Sequence, residues 1–292
     1  MQSHDDQAAA SMTDDLGQAG TAETMIVPSG RWPLPRLREV ARSRDLLGFF
    51  VWRDVKARYS QTMLGVSWAI IQPVATMVVF WVVFGRLIGV ESHGISYPLF
   101  CLAGLVVWNL FSQGMTNAAG SVVANQNQIT KIYFARLIIP LAAIGVVTVD
   151  FLIGLVLLVG LLLWEGVAIG PQILLAPLFV VMAAAVATGI GAALGALNVL
   201  YRDIRHLVGF LAQIWLFATP VAYPASLIPE RWQWLAGFNP MAGIVEGFRW
   251  TVLGTPLPAP ELLGLSLVTS VVMLVGGVLM FSAIEDKFAD LI

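Results

Sequence analysis

Charge is scarce in this sequence of 292 residues, and its scarcity argues against a soluble fold. Only 12% of the residues are charged, 58% are hydrophobic, and the mean hydropathy is +0.81. Soluble domains carry about a quarter charged residues, so one soluble core could not bury this much apolar surface. Several runs also reach the roughly 20 apolar residues that cross a bilayer as a helix. The sequence therefore predicts an all-α integral membrane protein.

Motifs for catalysis and metal binding are missing as well. Cys101 is the single cysteine, which excludes an intrachain disulfide. The three histidines, His4, His93 and His206, are too far apart in sequence to suggest a metal site. There is no GxxxxGK(S/T), HExxH or GxSxG motif. We therefore expect no catalytic residue, metal or cofactor on this chain, and any ATP and Mg²⁺ that drive its work would bind to a separate ATPase chain.

Composition changes twice along the chain and suggests three regions. Residues 1–30 carry five acidic residues and no lysine or arginine; they lack the basic and apolar parts of a signal peptide, so we expect a disordered tail. Residues 31–62 hold eight basic residues, and DLLGFFVWRDVKARY places apolar residues at helical spacing, which predicts an amphipathic helix in the membrane interface. A plain juxtamembrane anchor would fit the same composition. Residues 63–292 form the predicted transmembrane domain.

Six membrane spans are predicted in this domain, with the N-terminus on the cytoplasmic side. Their approximate ranges are 63–84, 97–111, 137–163, 173–200, 207–223 and 262–284. This arrangement puts thirteen of the sixteen lysines and arginines on the cytoplasmic side, as the positive-inside rule requires. Arg86, Arg231 and Arg249 remain outside. Both termini are therefore predicted to be cytoplasmic.

Three polar or broken segments connect the spans. YRDIRH, between spans four and five, concentrates charge in a short cytoplasmic loop, and it could be functional or only a topology anchor. The amide-rich ANQNQIT, between spans two and three, predicts a short docking helix or an ordinary solvated loop. The segment 224–260 is apolar but broken by proline and glycine, which predicts two half-inserted helices at about 229–236 and 240–253. Asn239 before Pro240 fits an N-cap followed by proline at the first helical position.

Two further features lie within the predicted spans. Asp150 is the one carboxylate deep inside a span, so it is either functional or satisfied by an interhelical hydrogen bond. Aromatic residues recur on spans one, two and five and could form a sliding track for a saccharide chain, although each alone is more typical of a lipid-facing belt. The predicted channel residues are Phe80, Trp81, Phe84, Trp108, Phe111, Trp215 and Tyr223.

Four motifs together resemble a known family. FVWRDVKARYSQTMLGVSWAIIQP, LNVLYRDIRH, ATPVAYP and FNPMAGIVEGFRWTVLG, in this order, resemble the membrane subunits of ABC type-2 exporters, specifically the permeases that export O-antigen, capsular polysaccharide or teichoic acid. The resemblance covers about residues 46–284. It implies a homodimer in the bacterial inner membrane, paired with two copies of a cytoplasmic ABC ATPase, that moves a lipid-linked polysaccharide. It implies neither enzymatic activity nor binding to nucleic acid.

The resemblance also assigns roles to residues. It implies contact with the ATPase, or transmission of its motion, for Arg53, Asp54, Lys56, Arg58, Gln126, Asn127, Lys131, Tyr201, Arg202, Asp203 and Arg205. It implies an outer gate at Asn239, Pro240, Glu246 and Arg249. An exporter of drugs or small lipids within the same broad class is the alternative function. A transferase or proton-coupled carrier would need carboxylates or histidines in the spans, and Asp150 alone qualifies.

Overall fold

The computed structural model describes residues 37–60, 65–129, 134–285 and 288, and every regular element in these ranges is a helix. The predicted tail 1–30 and Lys131 lie outside the described residues. The first helices are α1 (Leu37–Arg42), α2 (Arg44–Ser60), α3 (Ser67–Phe80, continued by a π-helical stretch Trp81–Ile88), α4 (Tyr97–Ala124) and α5 (Gln126–Ile129). They are followed by α6 (Ile138–Glu165), α7 (Ala176–Leu200, preceded by a 3₁₀ turn Pro171–Leu175) and α8 (Ile204–Ala218). A second 3₁₀ turn, Ala225–Leu227, precedes α9 (Glu230–Gly237), α10 (Pro240–Leu253) and α11 (Pro260–Glu285).

Five helical segments are long and apolar enough to cross a membrane. They are Ser67–Ile88, Tyr97–Ala124, Ile138–Glu165, Pro171–Leu200 and Pro260–Glu285. At 1.5 Å per residue even the shortest, with 22 residues, measures about 33 Å, against roughly 30 Å of hydrocarbon. The predicted fifth span, 207–223, corresponds to the shorter apolar helix α8 and the non-helical turn that follows it. The predicted all-α membrane fold is confirmed.

The second span is longer than the sequence suggested. Its predicted end at residue 111 is wrong, because α4 continues without a break to Ala124. The added turns contain polar residues, which lower the local hydropathy. The small and apolar residues Gly114, Met115, Ala118 and Val122 recur among them at helical spacing and are buried. The helix therefore keeps one packed face along its whole length, as the 3.6-residue period allows.

α4 lies at the centre of the bundle. It packs against α6, α7 and α10, and its residues Leu99 to Phe111 are almost all buried. α7 approaches α4 closely through glycines: a Cβ atom added to Gly191 would lie 2.6 Å from the Cβ atom of Ala118, and one added to Gly195 would lie 3.1 Å from the Ala118 carbonyl oxygen. Gly191 and Gly195, which lie one helical turn apart on α7, thus serve helix contact inside the subunit.

A second apolar cluster joins α2 to α6. Phe50 of α2 is buried against a group that includes Ile138 and Ala142, and Val51 lies directly over Gly145. Phe49 and Trp52 point away from this cluster and are 54% and 60% exposed. α2 therefore carries apolar side chains on both faces, one packed on α6 and one open. Its location in the membrane interface stays a prediction, as do the three region boundaries.

Candidate functional site

The chain leaves helical geometry where α8 ends, and the residues that follow form a short unwound segment, 219–224. α8 has 15 residues, which span about 22 Å and fall short of the hydrocarbon thickness. Thr219 is extended, with φ −102° and ψ 139°. Backbone carbonyls freed in this way need partners inside the protein, because lipid offers none.

Three side chains supply those partners. Asn239 Nδ2 donates to the Ala218 carbonyl oxygen (3.2 Å), and the Tyr97 hydroxyl donates to that of Ala222 (2.6 Å). Arg249 donates to two more: its Nη1 lies 2.7 Å from the Pro220 oxygen, and its Nη2 bonds to the Val221 oxygen. The non-helical backbone is therefore satisfied by residues of α4 and α10 and by the residue that precedes α10.

Arg249 is the most constrained of these residues. Its side chain is fully buried, its Nε donates to the Phe100 carbonyl oxygen (3.1 Å), and its guanidinium carbon lies 3.7 Å from the centre of the Phe100 ring. Glu246, one helical turn earlier, accepts from Arg249 Nη1 at 3.2 Å and from the Ala225 backbone nitrogen at 3.0 Å. A buried charge is tolerated when it is paired and hydrogen-bonded, and here all three guanidinium nitrogens donate. The planar guanidinium meets several carbonyls at once.

Asn239 ties the start of α10 to the end of α8. Its Oδ1 accepts from the Met241 backbone nitrogen (3.0 Å), which confirms the predicted N-cap before Pro240. The same oxygen accepts from the Trp215 indole nitrogen (2.9 Å), and Nδ2 also donates to the Thr219 hydroxyl (2.9 Å). α9 and α10 themselves occupy residues 230–237 and 240–253, close to the predicted ranges.

Polar side chains of α2 and α8 meet at the Asn125 end of α4, the end away from Tyr97 and Phe100. Arg53 pairs with Asp54 (2.7 Å) and donates through Nη2 to the Oδ1 of Asn125, the C-cap residue that follows α4 (3.0 Å). A cavity of about 570 Å³ opens beside them, lined among others by Asp54, Arg58, Asn125 and Arg205. The structure thus brings predicted coupling residues from α2 and the YRDIRH segment around one space.

Asp150 has a basic partner that the sequence did not reveal. Arg58, near the end of α2, places Nη1 2.9 Å from Asp150 Oδ2, and the Tyr59 hydroxyl donates to Asp150 Oδ1. Burial, followed by the hydrogen bond to Asp150 and its negative charge, raises the pKa of the Tyr59 phenol to about 12. The carboxylate is therefore held by two groups of α2, and a smaller cavity of about 180 Å³ lies against all three side chains.

Comparison with known proteins identifies the family. The family model described as ABC-2 type transporter matches residues 46–253, a stretch that includes α3 to α10 and most of α2. This chain belongs to the ABC-2 type transporter family. Membership makes it a multi-pass membrane transport subunit, without enzymatic activity of its own, and implies an ABC ATPase as partner.

Named relatives of this ABC-2 subunit are export and transport proteins. The O-antigen export system permease protein RfbA of Myxococcus xanthus is 29% identical over 256 residues, which cover 87% of this chain and 98% of the relative. The protein of the same name from Klebsiella pneumoniae is 26% identical over 250 residues, 85% and 95% of the two chains. The polysialic acid transport protein KpsM of Escherichia coli is 23% identical over 209 residues, 69% and 78% of the two chains.

The other predicted coupling residues of this ABC-2 subunit lie at its surface. Tyr201, Arg202, Asp203 and Arg205 are exposed in and after the turn that joins α7 to α8. Gln126 and Asn127 are exposed in α5, and Lys56 is exposed with its Nζ 5.1 Å from the centre of the Trp52 ring. Exposed positions of this kind are available to a partner, and the coupling role stays a prediction.

The predicted channel aromatics are mostly core residues of the subunit. Phe80, Trp108 and Phe111 are buried, and Trp215 packs edge-on against Phe111 with ring centres 5.0 Å apart. Trp81, Phe84 and Tyr223 are partly buried against the same core. These rings do not form a lipid-facing belt, because they pack against the protein core. A substrate track along them stays a prediction that this burial does not favour.

Sequence reasoning missed several residues that organise these sites. Tyr97 and Phe100 support the unwound segment from a helix more than 100 residues away in sequence, and nothing local marks them. Asn109 and Gln113, which line the smaller cavity, did leave a signal: two amides one helical turn apart inside a strongly apolar run.

Proposed function

We propose that this chain is the transmembrane permease subunit of an exporter that moves a lipid-linked polysaccharide, O-antigen-like or capsular, across the bacterial inner membrane. Two copies form the membrane part, and two copies of a separate cytoplasmic ATPase bind ATP and Mg²⁺ and supply the work. In this proposal both termini face the cytoplasm. The observation that carries it is the match to O-antigen export permeases over 85–87% of the chain.

The contacts at the Asn125 end of α4 support the proposed division of labour. The chain has no nucleotide-binding motif, so work must arrive through a protein contact. α2 has the exposed side chains Phe49, Trp52 and Lys56. Arg53 joins it to the Asn125 end of α4, and Arg58 joins it to α6. A partner that pushes on α2 would therefore move two membrane-spanning helices directly.

The unwound segment supports a role in transport at the other end. In membrane proteins, non-helical backbone at membrane depth is found where it is buried in protein or lines a water-filled path. Asn239, Glu246 and Arg249 hold this backbone to α10. An outer gate that opens and closes as one body would need such contacts. In the proposal, opening shifts α9 and α10 together with residues 219–224.

An exporter of drugs or small lipids has less support, because the named relatives act on glycans. The deciding experiment deletes the gene in its native cells and complements it with the wild-type chain or with a chain in which Arg53 is replaced by methionine. Deletion should remove surface polysaccharide and leave the lipid-linked precursor in the cytoplasmic leaflet. Wild-type complementation should restore surface display, and the Arg53 variant should restore it only partly. Normal surface polysaccharide in the deletion strain, together with altered tolerance to antibiotics, would refute the proposal in favour of drug export.

A further inference from the structure

The middle of α4 carries polar side chains that the described protein does not satisfy. Asn109 and Gln113 lie 12 and 16 residues from the start of a 28-residue spanning helix, about 18–24 Å along its axis. Both are partly buried, and neither side chain hydrogen-bonds to another residue in the part of the chain that the structure describes. Amides at this depth cost free energy unless a partner meets them. That partner must come from outside the described residues.

Both amides face the smaller cavity, of about 180 Å³. A single water needs only roughly 15 Å³ of such space, so the cavity is large enough for a small polar ligand. Trp68 also lines it and keeps 53% of its surface exposed. The cavity thus combines three planar amides, those of Asn109, Gln113 and Gln72, with an accessible indole ring.

The charges beside this cavity cancel. Asp150 accepts from Arg58 at 2.9 Å through one oxygen and from the Tyr59 hydroxyl through the other. Because the guanidinium is already paired, it leaves no net positive charge to hold a phosphate. The site therefore suits a neutral ligand rich in hydroxyl groups: amides both donate and accept, the carboxylate accepts, and the indole face can cover an apolar C–H surface.

We propose that this cavity binds one neutral sugar ring of the transported glycan, with Asn109 and Gln113 hydrogen-bonding its hydroxyls and Trp68 stacking on its face. The inference rests on the proposed function, since it names the part of the substrate that this site reads. It assigns glycan recognition to a polar stretch of α4 and not to the aromatic residues of the core.

The test measures binding of a defined probe to the full-length permease in lipid nanodiscs. The probe is a set of short oligosaccharides released by mild acid from the surface polysaccharide of the native cells, and calorimetry gives the Kd. Gln113→Met keeps the side-chain length and removes the amide, so we expect the Kd to rise at least tenfold. Asn109→Leu should act alike. Thr116→Val is the matched control, because the Thr116 hydroxyl bonds to its own helix at the Ser112 oxygen, and it should change Kd less than twofold.

A second variant of Gln113 and a competition measurement complete the test. Gln113→Asn retains polarity but shortens the reach, so it should also weaken binding if Gln113→Met fails to fold. Inorganic pyrophosphate should not compete with the probe, and competition would assign the cavity to an anionic headgroup instead. The inference is overturned if Gln113→Met binds the probe with wild-type affinity, or if the wild type does not bind it. The proposed function survives either result as long as surface polysaccharide still depends on the gene. Surface polysaccharide that persists after deletion overturns the proposed function as well.

Discussion

Replacing Arg249 tests whether the unwound segment depends on this one side chain. Arg249→Met removes the donors to the carbonyl oxygens of Phe100, Pro220 and Val221 and leaves Glu246 without its cation. Arg249→Lys keeps the charge but offers a single nitrogen, which cannot reach all of these acceptors together. Both variants should therefore destabilise the fold, the first more than the second.

The contacts set the expected size of each effect. Removing one partner of a buried ion pair costs about 3–5 kcal/mol, and we expect this loss for Arg249→Met. Hydrogen bonds in membrane proteins contribute roughly 0.6–1.7 kcal/mol each, so losing two of them in Arg249→Lys should cost about 1–3 kcal/mol. The control is Arg231→Met in α9, because Arg231 is exposed and should change the unfolding free energy by less than about 0.5 kcal/mol.

The assay follows unfolding of the purified permease in mixed micelles of rising SDS content by tryptophan fluorescence. If Arg249→Met unfolds at the same SDS fraction as the Arg231 control, the supporting role of Arg249 is refuted. An Arg249→Lys variant that keeps full stability but loses export would instead make Arg249 a moving part of the gate. The two readouts therefore separate support of the unwound backbone from gating.

Three further predictions concern α2 and the YRDIRH segment. A Cβ atom on Gly145 would lie 3.6 Å from the Val51 Cβ atom, within disulfide range, so Val51→Cys with Gly145→Cys should cross-link α2 to α6. If α2 moves relative to α6 during export, oxidation should stop export and reductant should restore it, while Val51→Cys alone stays active; Gly145→Cys alone is no control, because its Cβ atom would lie 2.6 Å from the Val51 Cγ2 atom. Export by the oxidised pair would show that the two helices move together. Replacing Arg202 and Arg205 by lysine should leave ATP hydrolysis by the complex intact but reduce export, because lysine cannot reproduce a bidentate contact, and retained coupling would return the segment to a topology anchor. Because the folded pKa of Tyr59 is raised from 10 to about 12, chiefly by burial, its stabilising contribution is complete below pH 10 and is lost as the pH rises toward 12; Tyr59→Phe should flatten this part of the stability profile, and an unchanged profile would contradict the raised pKa.

Local patterns predicted the elements of this molecule well. Long apolar runs gave the membrane-crossing helices, because the bilayer demands about 20 apolar residues wherever a helix crosses it. The dipeptide Asn239-Pro240 gave the start of α10, since capping involves only neighbours in sequence. The second span was cut short because polar side chains on one helical face lower the hydropathy of residues 112–124 without breaking the helix.

Contacts between residues far apart in sequence could not be predicted from the sequence. Asp150 was left without a basic partner because Arg58 lies 92 residues earlier on a helix outside the spans, and spacing says nothing about which helices touch. Arg249 was assigned to the outer side by charge counting, which treats every arginine as solvated. Its burial against Phe100 follows only from the packing of α10 on α4. A sequence shows the chemistry of each side chain, whereas the residue that this side chain contacts is determined by the fold.

α4 connects the two ends of the subunit, and this constrains how motion can pass between them. Asn125 accepts from Arg53 of α2 at one end, and Phe100 meets Arg249 at the other, about 38 Å away along one continuous helix. Most of α4 is buried between these points, so bending or melting it would expose packed surface and break contacts with α6, α7 and α10. If the ATPase pushes on α2, as we propose, moving α4 as a rigid body would transmit the push at the lowest free-energy cost, and packed helices move in discrete steps. A contiguous contact path is not yet a coupling, which requires two states that both ends favour differently. The Val51–Gly145 cross-link addresses this requirement, because it fixes α2 on α6 without touching α4.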